Sequence, residues 1–262
     1  MTIWEAFLLG LVQGLTEFIP VSSSGHLVLL QRYFGITEGM TFDVMVHFGT
    51  LLAVVFIFWH DILKIIKEPF GRLPLLLLAG AVPTAIIFFA ISDIFINLFQ
   101  TGKWLGVGFV VTGLILWKAE TMPSGKKKIN EMTFSDAVFI GILQGIAIVP
   151  GISRSGATIS GGLFRGLNRE FAARYSFMLS LPIIFGATLL EIKDIPQTEN
   201  IELLPLAIGT VTAAVSGYLA IRYMLRVLSQ GSLRTFSYYV WFLAIIVFTD
   251  QLFFNRFLPP LF

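Results

Sequence analysis

Apolar residues run along this chain in stretches near 20 residues, long enough as helix to cross a hydrocarbon core of about 30 Å. Six such stretches fall at 41 to 60, 73 to 97, 103 to 118, 172 to 192, 203 to 225 and 236 to 256, the third marginal in length. Two more, 3 to 35 and 134 to 166, are interrupted midway by Pro20 and Pro150, each followed by a run of Ser and Gly. A broken helix is tolerated in hydrocarbon only where its freed backbone groups face protein or a water-filled cavity. Each of these two stretches therefore predicts a re-entrant helical hairpin with the polar run at its tip.

Composition sharpens the class. Of 262 residues, 56% are apolar, 13% are charged and 26 are Phe, and mean hydropathy is +0.83; ordinary soluble composition is excluded. The expected fold is an all-α polytopic membrane protein with no separate soluble domain. The absence of Cys removes disulfides, thiolate metal sites and cysteine nucleophiles, and a net charge of +2 implies no nucleic-acid partner. The opening MTIWEAFLLG lacks the positive n-region of a cleavable signal and carries Glu5, so it reads as retained structure.

The two broken stretches resemble each other. GLVQGLTEFIPVSSSGH begins at Gly10 and GILQGIAIVPGISRSGA at Gly141, an offset of 131. At that offset Gln13 pairs with Gln144, Ser22 with Ser153, Ser24 with Ser155 and Gly25 with Gly156, whereas the prolines match at 130. Identity at the non-apolar positions argues for duplication, giving repeats 1 to 131 and 132 to 262 in a single transmembrane domain. One hairpin plus three spans in each repeat forces the second to be inverted relative to the first.

Loop charge supports the same layout. With the N-terminus outside, the inner loops carry Lys64, Lys67, Arg72, Lys118, Lys126, Lys127, Lys128, Arg165, Arg169, Arg174, Arg222, Arg226 and Arg234. The outer side keeps Arg32, Lys103, Lys193 and Arg256 beside an acidic linker with Asp194, Glu199 and Glu202. Both termini are expected on the outer face by the positive-inside rule. The stretch 205 to 220, with Gly209, Ala213, Ala214 and Gly217, reads as close helix packing.

Inverted repeats with broken helices bring their polar tips together near the midplane, so one composite site is expected. Helices restarting after Pro20 and Pro150 place Ser22, Ser23, Ser24, Ser153 and Ser155 at helix N-termini, where free N–H groups and the dipole favour an anion such as phosphate. Arg154 adds a guanidinium, costly in a low dielectric unless a bound anion or the Glu17 carboxylate answers it. Glu17 follows Gln13 by four residues on one helix face. Its carboxylate has three readings: ligand to a divalent cation, acceptor of a proton from a nucleophile or water, or structural partner of Arg154. His26 shares a helix face with Ser23. Together Glu, Ser, Arg and His make a phosphoryl-transfer set. His47 and Asp43 could face the cavity, although packing explains them equally well.

The tips QGLTEFIPVSSSGH and PGISRSGATIS closely resemble the motifs of the bacterial undecaprenyl-diphosphate phosphatase family, the integral-membrane type associated with bacitracin resistance. The resemblance covers the whole chain. It implies hydrolysis of undecaprenyl diphosphate to the monophosphate carrier of peptidoglycan synthesis, in the bacterial plasma membrane, assisted by a divalent cation, Mg or Ca. Its first motif falls on Gln13 and Glu17, where the neutral Gln leaves Glu17 the only charged ligand. The remaining motif positions fall on Ser22, Ser23, Gly25 and His26 and on Pro150, Gly151, Ser153, Arg154, Ser155 and Thr158. The resemblance so implies Glu17, Ser23, His26 and Arg154 as catalytic and Ser22, Ser24, Gly25, Gly151, Ser153, Ser155 and Thr158 as phosphate-binding. Ser23, His26 and water all remain open as nucleophile, Ser23 with His26 assisting being preferred. The partners implied are a polyprenyl diphosphate lipid and the bilayer, and a homodimer is an admissible assembly. A lipid flippase or transporter would share the scaffold. An anion channel would need a polar pore lining that the spans lack.

Overall fold

The computed structural model describes residues 1–36, 40–123, 125–194 and 202–261, and these are helical apart from loops and a single β-bridge between Lys127 and Leu167. In chain order the helices are α1 (Ile3–Phe18), α2 (Ser23–Phe34), α3 (Met40–Ile57), α4 (Trp59–Lys67), α5 (Arg72–Thr101), α6 (Leu105–Glu120), α7 (Phe134–Ile146), α8 (Arg154–Phe164), α9 (Arg169–Asp194), α10 (Leu203–Gln230) and α11 (Arg234–Thr249), which a π-turn continues over Asp250–Phe254. Among the described residues four helices are long and apolar enough to cross a bilayer, over Arg72–Ile91, Arg169–Leu190, Leu203–Ser229 and Arg234–Phe254, and a fifth span is counted if α3 and α4 are taken together. The chain is a multi-pass helical membrane protein.

Both broken stretches fold as helical hairpins, α1 with α2 and α7 with α8. The same local devices recur 131 residues apart. Thr2 and Glu5 form a capping box on α1, as Thr133 and Asp136 do on α7. Ser22 Oγ caps α2 by accepting from the Gly25 N–H at 3.3 Å, and Ser153 Oγ caps α8 by accepting from the Gly156 N–H at 3.1 Å. Helix pairing is exchanged between halves: α1 packs on α10 and α7 on α5, while α3 meets α9 and α6 meets α11.

The crossings of α1 with α10 and of α7 with α5 depend on backbone proximity. A Cβ on Gly10 would strike the Gly209 carbonyl, and one on Gly141 would strike that of Gly80. Gly14 lies likewise against Ser216 and the Ala213 backbone. The small residues of α10 thus do what their composition suggests. Gly10→Val is expected to overpack this crossing by roughly 1 to 3 kcal/mol. The readout is a fall of several degrees in apparent Tm in detergent; an unchanged Tm would refute the contact.

Two predicted spans differ from their expected form. The stretch 41 to 60 ends at Phe58, after which α4 turns by 79° from α3. The cause is amphipathicity: α4 carries Asp61, Lys64 and Lys67 along one side and no fully buried residue, so it suits an interface better than a hydrocarbon core. α5 runs beyond its predicted end, to Thr101, by breaking helical geometry at Ile91.

Loops sort to two ends. One end gathers Met1, whose ammonium lies 3.7 Å from Glu202, with Arg32 on the Thr101 carbonyl and Gln251 on that of Lys103. At the other end Asp136 takes Lys127 and Arg165, Glu120 takes Arg169, and Asp61 takes Arg174. The Lys193 and Asp194 side chains and Glu199 lie outside the described residues.

Candidate active site

The hairpin tips meet. Ser155 Oγ of the second tip donates to the Ile19 carbonyl of the first at 3.4 Å. Thr112 on α6 clamps the second tip, its hydroxyl donating to the Gly151 carbonyl at 2.8 Å and accepting from the Ser153 N–H at 2.9 Å. Freed backbone groups of the break are thus satisfied inside the protein, the condition hydrocarbon imposes.

At this junction Glu17, near the end of α1, is only 6% exposed and is surrounded by donors. Ser23 Oγ donates to Glu17 Oε2 at 2.5 Å, Gln13 Nε2 donates to the same oxygen at 2.9 Å, and the Arg154 guanidinium pairs with Oε1. The four-residue spacing of Gln13 and Glu17 and the helix-start positions of Ser23 and Arg154 bring these side chains together, Arg154 reaching Glu17 across 137 residues. The Arg154–Glu17 pair, one of three readings of that carboxylate, is formed. His47 on α3 stands on another side of it, Nε2 being 3.9 Å from Oε2. Among the described residues no three His, Asp or Glu side chains converge into a metal cage.

His26 is held at both ring nitrogens. Nδ1 lies 2.7 Å from the Ser22 carbonyl and Nε2 2.8 Å from the Tyr239 hydroxyl. A carbonyl can only accept, so Nδ1 carries hydrogen; neutral His26 then accepts at Nε2 from Tyr239. The same Ser22 carbonyl takes the His26 N–H at 3.2 Å. Ser22 itself adopts φ 72°, a left-handed conformation rare for a residue with a side chain. His26 therefore supports the bend that aims Ser23 at Glu17.

The remaining motif residues divide. The Ser22 and Ser24 hydroxyls lie 3.2 Å apart, and so do those of Ser153 and Ser155. Gly25 packs under the Phe109 ring, and Gly151, at φ 88°, admits the backbone of α6. Thr158 is buried with its hydroxyl on the Arg154 carbonyl at 2.8 Å and beside Ser176 Oγ at 2.6 Å, which ties α8 to α9. Tyr239 and Thr112 carry no sequence signal of this role, since neither belongs to the two broken stretches. The hydroxyl of each matters only through a partner brought close by folding.

Fold and site together define a multi-pass helical membrane protein whose hydroxyl, carboxylate and guanidinium groups converge from two broken helices. A model of the family described as Bacitracin resistance protein BacA matches residues 6–246. An undecaprenyl-diphosphatase of Carboxydothermus hydrogenoformans is 53% identical over 256 residues, covering 96% of this chain and 98% of that protein. One of Halothermothrix orenii is 47% identical over 252 residues (94% and 97%), and undecaprenyl-diphosphatase 4 of Bacillus thuringiensis 45% over 250 residues (94% and 96%). The chain belongs to the bacitracin resistance protein BacA family.

Proposed function

We propose that this protein hydrolyses undecaprenyl diphosphate to undecaprenyl phosphate and inorganic phosphate, a reading supported by relatives named undecaprenyl-diphosphatase. The observation that carries the chemistry is the Ser23 hydroxyl at 2.5 Å from Glu17 Oε2. Glu17 takes the Ser23 proton as Oγ attacks the terminal phosphorus, and the bond from that phosphorus to the bridging oxygen breaks. Undecaprenyl phosphate leaves, and water then cleaves the Ser23 phosphoester to release phosphate. Arg154 exchanges its carboxylate partner for the phosphoryl oxygens, and the N-termini of α2 and α8 supply N–H groups to the same anion. The prenyl chain stays in lipid while its headgroup reaches the tips.

A divalent cation, Mg or Ca, fits the first hairpin: Gln13 is fully buried, and its Oε1 has no hydrogen-bond partner among the described residues. Gln13 and Glu17 would hold it, and it would neutralise phosphate oxygens. Two inverted repeats, 1 to 131 and 132 to 262, are supported by the recurring caps and exchanged pairing. An inner-membrane orientation with both termini outside is supported by the basic loops gathered at one end.

The test is phosphate release from undecaprenyl diphosphate by detergent-purified protein with Mg, with Ca and with chelator. Release is expected with metal and is expected to cease with chelator. Lipid binding with no release under any condition would overturn hydrolysis in favour of transport.

A further inference from the structure

His47 is not used by the mechanism above, yet it faces the central carboxylate. Its Nδ1 lies 2.7 Å from the Asp43 carbonyl one turn back, so Nδ1 carries hydrogen and Nε2 of the neutral ring holds a lone pair. Nε2 lies 3.9 Å from Glu17 Oε2. The gap is too long for a hydrogen bond, and shorter than the roughly 4.6 Å that a water bonded to both atoms would span. Ligand bonds of about 2.1 Å place adjacent donors of one ion about 3 Å apart and opposite donors about 4.2 Å apart, so the 3.9 Å gap falls within the range one metal ion can bridge after a small shift of either side chain. A third donor is at hand. Gln13 Nε2 is bonded to the same Glu17 oxygen while its buried Oε1 has no partner among the described residues, and a half-turn of the amide exchanges the two.

We propose that His47 Nε2 is a direct ligand, with Glu17 and Gln13, in a mixed nitrogen and oxygen site for the divalent cation. The proposal deepens the hydrolase reading and rests on it for the ion's use. Imidazole beside carboxylate and amide oxygens makes a site open to an ion that accepts both donor types, for which Mn2+ is the spectroscopic probe. Two or three protein ligands leave positions for phosphate oxygens. A carbonyl on the far ring nitrogen is the arrangement that orients metal-bound imidazoles generally.

The test is Mn2+ binding to the detergent-purified full-length protein, read by electron spin-echo envelope modulation and by titration. Imidazole 14N modulation on the bound ion is expected, lost in His47→Gln and kept in His60→Gln. Mn2+ affinity should fall at least about tenfold in His47→Gln. Gln13→Leu should weaken Mn2+ binding while keeping the modulation, a check that does not depend on the folding of His47→Gln. Failure of Mn2+ to bind, absence of modulation, or its persistence in His47→Gln would overturn the ligand assignment. Phosphate release, measured on the same samples, separates the two readings: intact release without modulation refutes only the ligand, and modulation without release refutes only hydrolysis.

Discussion

Ser23→Ala is expected to lower phosphate release from undecaprenyl diphosphate by at least about a thousandfold, with little change in lipid binding, because it removes the attacking atom. The expectation rests on position. Ser23 Oγ already touches the carboxylate that would take its proton, whereas both nitrogens of His26 are occupied by Ser22 and Tyr239. If water attacked directly, Ser23 would lose only a supporting hydrogen bond and the fall would be nearer tenfold, a result that would remove it as nucleophile. Single-turnover experiments with labelled terminal phosphate provide a second readout: a phosphoserine should be trapped on acid quench in the wild type and be absent from the variant.

Glu17→Gln and Arg154→Ala should each lower turnover by at least about a hundredfold, the scale of losing an acid-base or electrostatic group. Their combination is the more telling measurement. The two side chains are paired across 137 residues, so the double variant should lose much less than the product of the single losses. Each single change also strands a charge: without Arg154 the buried carboxylate keeps only Ser23 and Gln13 as donors. Near-normal turnover in either single variant would sink the site, and multiplicative losses would mean that the groups act in separate steps.

Much of this site is legible in the chain because its parts are local. Prolines followed by serines mark the breaks, and each break restarts its helix with a serine cap, Ser22 or Ser153. The four-residue spacing of Gln13 and Glu17 becomes a hydrogen bond of 2.9 Å. What is not legible depends on approach between distant elements. Tyr239 reaches His26 over 213 residues from a cluster of hydroxyl residues at the start of α11, and Thr112 reaches Ser153 over 41 as a lone hydroxyl in an apolar helix; nothing local ties either to the tips. His47 looks equally bland until α3 is laid beside α1. The turn at Phe58 escapes a hydropathy reading because Trp59 to Ile66 alternates apolar and polar residues at helical spacing, which averages to something neither span nor loop.

The exchanged pairing of α1 with α10 and α5 with α7 sets an order of assembly. A ribosome delivers α1 nearly two hundred residues before α10, and Glu17 well before Arg154. Through that interval the first hairpin has a carboxylate in or near the bilayer with neither its guanidinium nor its packing surface, a costly arrangement. The young hairpin is therefore best suited to lodge at the membrane surface or against the insertion machinery until the second half emerges. A truncated chain would be without catalytic power and metastable in lipid, so damage at the far end of the gene would be felt at the first active-site residue made.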